Sequence, residues 1–346
     1  MGLKAGKQVE RVEADMRHLH VLRTKRIWRG LTLGLLPVLA LLLIAQFAGA
    51  DEKDFGAGMQ AFKQKNYKLA GEKLESYVQS GDLDEQKAHE AFLALGEAYE
   101  QQGRPISALR VYREFLARFR RSDKEPDVRR NLGRCNEAAG RFKEAISAYK
   151  EYLVRYANRP GAAEIRYRIA SIYDNILRRH KEAAQEYRDL VSVDKNKDRR
   201  QQAFRRIPQL WEIMGNNHKA VEEYRAYLKE YPEDTRAWDR LFHLLERDLR
   251  DYKAAVEAME SYLAKFPKAH DRYDRLMHLG YLYRDRLRKW DQAIAAYEQA
   301  YKLRPNADPM YHSVYAHYMA GKEEPYVKAA REFIAKYPQD TRLKAV

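Results

Sequence analysis

One small unit recurs eight times along this chain: an alanine, then four residues later an aromatic or large aliphatic side chain, a polar pair, and a further aromatic or aliphatic. Ala70 precedes Leu74 in AGEKLESYV, Ala108 precedes Tyr112 in ALRVYREFL, and Ala145 precedes Tyr149 in AISAYKEYL. The series continues through Ala183 and Tyr187, Ala220 and Tyr224, Ala255 and Met259, and Ala293 and Tyr297. It closes on a degenerate copy with Tyr326 and Ala330. Successive copies lie 33 to 38 residues apart. A repeat of that length is one supersecondary unit, and stacked neighbours bury a core that no single copy could. Spacings of three and four dominate and no segment alternates with period two, so an all-α chain of about eight helix pairs is expected.

Each copy is preceded by a second helical segment. Leu95-Gly96 stands before Tyr99, Leu132-Gly133 before Asn136, Ile169-Ala170 before Tyr173, and Leu279-Gly280 before Tyr283. The small residue lets two helices approach, and the aromatic of the following helix fills the space beside it. Phe92 and Trp238 take the large apolar place near the start of their helices. Turns fall at Asn66-Tyr67, Gly103-Arg104-Pro105, Gly140-Arg141 and Gly215-Asn216-Asn217, where glycine accepts the left-handed conformation that ends a helix. Pro232, Pro267, Pro305 and Pro338 mark repeat ends. Pro208 occupies a small-residue place and is expected to bend or shorten its helix without breaking the array.

This combination resembles the tetratricopeptide repeat over about residues 54–338. The resemblance implies a right-handed α-solenoid whose first helices line a concave face that holds an extended peptide or a partner helix. In repeat length and second-helix pattern the copies look like those of bacterial envelope members of the family, the BamD-like and CpoB-like kinds. One anchor followed by an array is similar to the YfgM-like architecture. The chain departs from the BamD-like kind in having no cysteine near its apolar segment.

That segment, Leu31 to Gly49, carries no charge. With Ile27, Trp28 and Gly30 it approaches the roughly 20 residues that cross a bilayer core. Arg23, Lys25, Arg26 and Arg29 flank its amino side, and Asp51, Glu52 and Asp54 its other side. This bias keeps the first residues in the cytoplasm and sends the rest across the membrane. The expected organisation is a cytoplasmic segment 1–26, a transmembrane anchor or signal segment 27–50, and the array 51–346. Val9, Val12, Met16 and Leu19 give the first segment a helical apolar face, which a peptide made only to be removed does not need. A retained single-pass anchor in a bacterial inner membrane, with the array periplasmic, is therefore the expected arrangement. Ala48-Gly49-Ala50 looks like a signal cleavage site, so a cleaved, soluble periplasmic form is the alternative.

The formal charge is +15, from 65 Lys and Arg against 50 Asp and Glu. The basic residues alternate with acids, as in Arg113-Glu114 and Lys143-Glu144, which is the pattern of a solvated helix face and not of a nucleic-acid surface. The expected partners are other proteins, subunits of an envelope complex. Cys135 is the single cysteine, so the chain has no internal disulfide, and its place on a first helix suits a small buried thiol. No nucleophile elbow, phosphate-binding loop or dinucleotide fingerprint is present. His18/His20 and His312/His317 lack the spacing that puts two ligands on one helix face, and adjacent acids such as Glu222-Glu223 point about 100° apart. No catalytic residue, cofactor or metal is expected, and the tyrosines read as core.

The resemblance places partner-binding residues on the first helices. Glu90, Leu93 and Glu97 come first, then Arg130 and Arg134, then Tyr167 and Ser171, then Arg205 and Gln209, then Asp239 and His243. Met277, Tyr281 and Arg284 follow. Arg130, Arg134, Tyr167 and Arg205 are expected to converge on one polar surface, with an apolar, aromatic section after them. In the co-chaperone class Asn and Lys at such positions clamp a C-terminal carboxylate. Here Glu97, Arg134, Ser171, Gln209, His243 and Tyr281 stand there, without an Asn, which argues against that ligand. Arg130 and Arg134 are still of the residue type that takes a carboxylate bidentately. The function expected is a membrane-anchored scaffold or adaptor of a bacterial envelope complex. The alternative is an exported soluble periplasmic module for peptides or cell-wall glycan.

Overall fold

The computed structural model describes residues 52–80 and 84–345. The segment 1–26 and the expected anchor 27–50 lie outside them. Among the described residues there is no strand, and no helix is long and apolar enough to cross a membrane.

Contacts divide the chain into two compact units that meet at Arg159 and Pro160. The first holds α1 (52–63), α2 (Tyr67–Gln79), α3 (Glu85–Gln101), α4 (Pro105–Arg118), α5 (Glu125–Ala138) and α6 (Phe142–Tyr156). The second holds α7 (Ala162–Ser171), α8 (His180–Val193), α9 (Lys197–Ile213), α10 (Asn217–Glu230), α11 (Thr235–His243) and α12 (Tyr252–Lys265). It continues with α13 (Arg272–Tyr281), α14 (Trp290–Leu303), α15 (Ala307–Met319) and α16 (Glu323–Lys336). Odd and even helices alternate as the first and second members of pairs. Within the first unit, Arg118 at the end of α4 donates to the Val78 carbonyl at the end of α2, at 3.2 Å.

The packing code is the one read from the repeats. Ala70, Ala108, Ala145, Ala183, Ala220, Ala255 and Ala293 are each at most 1% exposed. The aromatic four residues later fills the gap over the small residue of the first helix. A Cβ placed on Gly280 would lie 2.5 Å from Cε1 of Tyr297, and one on Gly133 would overlap the Tyr149 ring still further. Tyr112, Tyr149, Tyr224, Tyr227, Tyr262 and Tyr297 are among the largest fully buried side chains.

Pro208 does not shorten its helix, and the array continues past it. It is buried inside α9, which runs its full 17 residues without shortening. The proline occupies the place opposite Tyr224, and burial of Ala203, Ile207 and Leu210 on the same helix offsets the backbone bond that a proline cannot make.

The helix pairs close in two ways. In one, glycine, or Lys65 between α1 and α2, adopts the left-handed conformation, as at Gly103, Gly140 and Gly215 with φ of 68°, 71° and 73°. The N–H of Arg104 then reaches the carbonyl of Tyr99, five residues back, at 2.8 Å. In the other, α7, α11 and α13 each run into a π-turn, at Ile172–Ile176, Leu244–Asp248 and Leu282–Arg286. An arginine then takes the left-handed place: Arg178, Arg250 and Arg288 have φ of 54°, 53° and 52°. The closing bond joins the equivalent groups, Arg179 N–H to Tyr173 C=O at 2.8 Å, but now six residues apart. One extra residue has been taken up in a wider turn. The buried alanine of the second helix keeps its seat.

Candidate functional site

The residue after each first-helix aromatic place builds a chain of polar contacts between repeats. Glu100 accepts from the hydroxyl of Tyr112 on its own second helix at 2.7 Å, and from Arg134 on the next first helix at 2.8 Å. Asp174 sits between Tyr187 and Arg206, whose Nε and Nη2 donate to its two oxygens at 2.7 and 2.9 Å. His180 Nδ1 lies 3.7 Å from the same carboxylate. Glu212 accepts from Tyr224 at 2.5 Å and pairs with Arg240. In the repeat of Glu246 the second helix carries Met259 where five other copies have tyrosine, and His278 Nε2 approaches Glu246 at 2.7 Å. Burial, reinforced by the adjacent carboxylates, holds the hydroxyls of Tyr112, Tyr187 and Tyr224 well above the usual phenol range.

The last of these places inverts the charge. Arg284 stands where the others carry an acid. Its guanidinium lies 5.9 Å from the Tyr297 ring and 5.2 Å from the Tyr315 ring, and it donates to His312 Nδ1 at 2.8 Å. Burial first, and then the nearby charges of Arg284 and Arg342, hold His312 below its ordinary value.

Of the residues expected to bind a partner, Glu90, Leu93, Glu97, Arg130 and Arg134 lie in the first unit. Arg130 pairs with Asp127 at 2.9 Å, and Arg134 is committed to Glu100. The others lie in the second unit. Tyr167 meets the Tyr187 ring edge-on at 5.9 Å, and Gln209 accepts from Arg206 at 3.1 Å. Arg205 lies 3.7 Å from Asp234 and lines a cleft of about 450 Å³ with Gln201, Tyr231, Thr235 and Arg236. His243 Nδ1 lies 3.4 Å from Asp248. Met277 is half-buried against the core, and Tyr281 packs beside His278 with the Arg286 guanidinium 5.5 Å from its ring. Beside this late section, α15 exposes Tyr315 (37%), Tyr318 (61%) and Met319 (42%) at i, i+3 and i+4, one helix face. These three were missed in the sequence because the last repeat is degenerate.

A family model described as Tetratricopeptide repeat matches residues 93–160 and 244–308. Over those two stretches the chain carries the tetratricopeptide-repeat pattern. A crystal structure of MamA protein is 17% identical, with a TM-score of 0.42 over 55% of this chain and 96% of that one. A tetratricopeptide repeat protein from Parabacteroides merdae is 16% identical, with a TM-score of 0.37 over 74% of this chain and 96% of that one. The C-terminal part of a TPR repeat-containing protein from Cytophaga hutchinsonii is 17% identical, with a TM-score of 0.42 over 75% and 98%. No curated protein matches. In this chain, then, the first-helix face is part bridge and part open surface. Asp174, Glu212, Glu246 and their cations join repeat to repeat, whereas Tyr315, beside Arg284, Tyr318, whose ring lies 5.5 Å from that of Tyr326, and Met319 keep a large part of their surface exposed.

Proposed function

We propose that the chain is a membrane-anchored scaffold of a bacterial envelope complex, its repeats periplasmic, and that it holds a partner segment on the first-helix face of the second unit. The observation that carries the binding reading is the row Tyr315, Tyr318 and Met319, exposed on one face of α15 and continued onto the π-turn after α13 by Arg284 beside Tyr315. Exposed aromatic and methionine side chains grouped in this way suit the centre of a protein interface. Arg205 and the half-buried Gln209 supply polar contacts further along the same series of first helices. The anchor is supported by the uncharged run Leu31 to Gly49 and its basic amino flank.

The test is co-purification of the partner from membranes. The double change Tyr315→Ala, Tyr318→Ala should lower partner yield strongly with the circular dichroism spectrum unchanged, and Arg205→Glu should lower its salt resistance. Undiminished yield with both variants would remove the first-helix face from consideration. Arg134→Glu is a poor probe, because it also breaks the bridge to Glu100. The intact mass of the membrane-extracted protein should include residues 1–50, and a reporter active only outside the cytoplasm should be active when fused after Val346.

A further inference from the structure

On the second-helix side of the second unit, a cleft of about 350 Å³ opens between α10 and α12 over α11. Its floor is Leu228, Trp238, Leu241 and Ala258, each less than a tenth exposed. Arg225, Lys229 and Lys265 stand on its rim, all exposed, and Glu257 is the one acid lining it. None of these three cations has an ion-pair partner among the described residues.

The repeat register explains the opening. In the preceding junction Arg188, one residue after Tyr187, donates to Glu223, one residue before Tyr224. Arg225 is likewise one residue after Tyr224, but the place one residue before Met259 is Ala258. The arginine is retained and its carboxylate is missing. Lys229 and Lys265 then add two more positive charges to the vacated space. The pair α4 and α6 also sets an arginine, Arg113, against an alanine, Ala148. There, however, Ala117 and Glu151 occupy the places of Lys229 and Ser261, so the surplus of positive charge belongs to α10 and α12.

We propose that this cleft docks an acidic peptide segment of a partner protein. A carboxylate of the segment takes the place of the missing glutamate between Arg225, Lys229 and Lys265, and a neighbouring aliphatic or aromatic side chain enters over Leu228, Trp238 and Leu241. Arginine presents a planar fork that matches a carboxylate, and an apolar floor with a few charged groups at its rim is the usual make-up of a binding pocket. The site opens between two second helices and shares no residue with the first-helix face proposed above.

The test uses the full chain and a panel of fluorescein-labelled hexapeptides with two carboxylates around a leucine, phenylalanine or tryptophan, each paired with its Asn/Gln amide version. Fluorescence anisotropy should show acid peptides binding at least about tenfold more tightly than their amides, with affinity falling as salt rises. Ala258→Glu restores the bridge to Arg225 and fills the cleft, so it should lose about tenfold or more in affinity while keeping its melting temperature. Lys229→Glu with Lys265→Glu should lose binding as well, and Arg205→Glu should not change it. Equal affinity for acid and amide peptides, or no peptide binding the wild-type chain more tightly than Ala258→Glu, overturns the site.

Discussion

Gly133 has no room for a methyl group: a Cβ there would overlap the ring of Tyr149. Gly133→Ala should therefore destabilise the first unit by roughly 1–3 kcal/mol, because the ring has no free volume to move into. Ala145→Trp overpacks the other side of the same helix pair and should cost as much or more, whereas Lys143→Glu, on an exposed position, should barely move the melting temperature. Equal effects from the Ala145 and Lys143 changes would break the register. These small residues and the tyrosines were legible in the sequence, since their spacing is set by helix packing alone. The carboxylates were not. An acid beside an aromatic on a helix reads as solvent-facing until its partner, some 30 residues on, is known to lie beside it. The available signal was positional: Glu100, Glu137, Asp174, Glu212 and Glu246 each directly follow the first-helix aromatic place. Histidine carries a separate, pH-dependent consequence. His312 and His317 are both held below their ordinary value, chiefly by burial. The unfolded chain then binds more protons than the folded one, so their contribution is present above the ordinary histidine range, near pH 6.5, and is lost as pH falls through it. Thermal melts should show the second unit losing stability from pH 7.5 to 5.5, and His312→Gln should flatten that slope.

Between elements, the bridges decide how firmly one helix pair holds the next. Glu212 takes both the Tyr224 hydroxyl and Arg240, so Glu212→Ala strands a buried donor and a cation together. A loss of about 1–3 kcal/mol is expected, with non-additive effects when Arg240→Ala is combined with it in a double-mutant cycle. Additive changes would mean that the bridge contributes nothing beyond its separate parts. The same economy bears on partner binding. Arginines on first helices look available in a linear sequence, yet Arg134, Arg206 and Arg240 are engaged by the preceding repeat. The second helices show the reverse case, where Arg225 keeps its place and Ala258 has replaced its acid. The turns at Asn66 and Asn216 were legible in the sequence, and there, as at Asp234 and Asp251, a short polar side chain accepts the backbone N–H three residues on.

At the scale of the molecule, stability is distributed along the chain, since each repeat contacts chiefly its neighbours. Gly133→Ala should therefore reduce amide-exchange protection in α3 to α6 and leave α10 to α14 unchanged, as read by hydrogen exchange. Protection lost equally in both units would show them to fold as one. The all-helical pairing was legible from eight copies of one pattern, whereas the π-turns were not, because a residue inserted beside a turn leaves the hydrophobic period on either side intact. Those turns act as expansion joints. An insertion or deletion inside a second helix would rotate everything beyond it by about 100° and present the wrong side chains to the core. The same change at the hairpin is absorbed where it occurs. Removing Arg247 and converting Arg250 to glycine should turn the α11–α12 connection into the shorter closure already found at Gly215, with Ala255 still seated and the chain still folded. Length variation in such an array then accumulates at the closures of its helix pairs, and its interfaces are inherited unchanged.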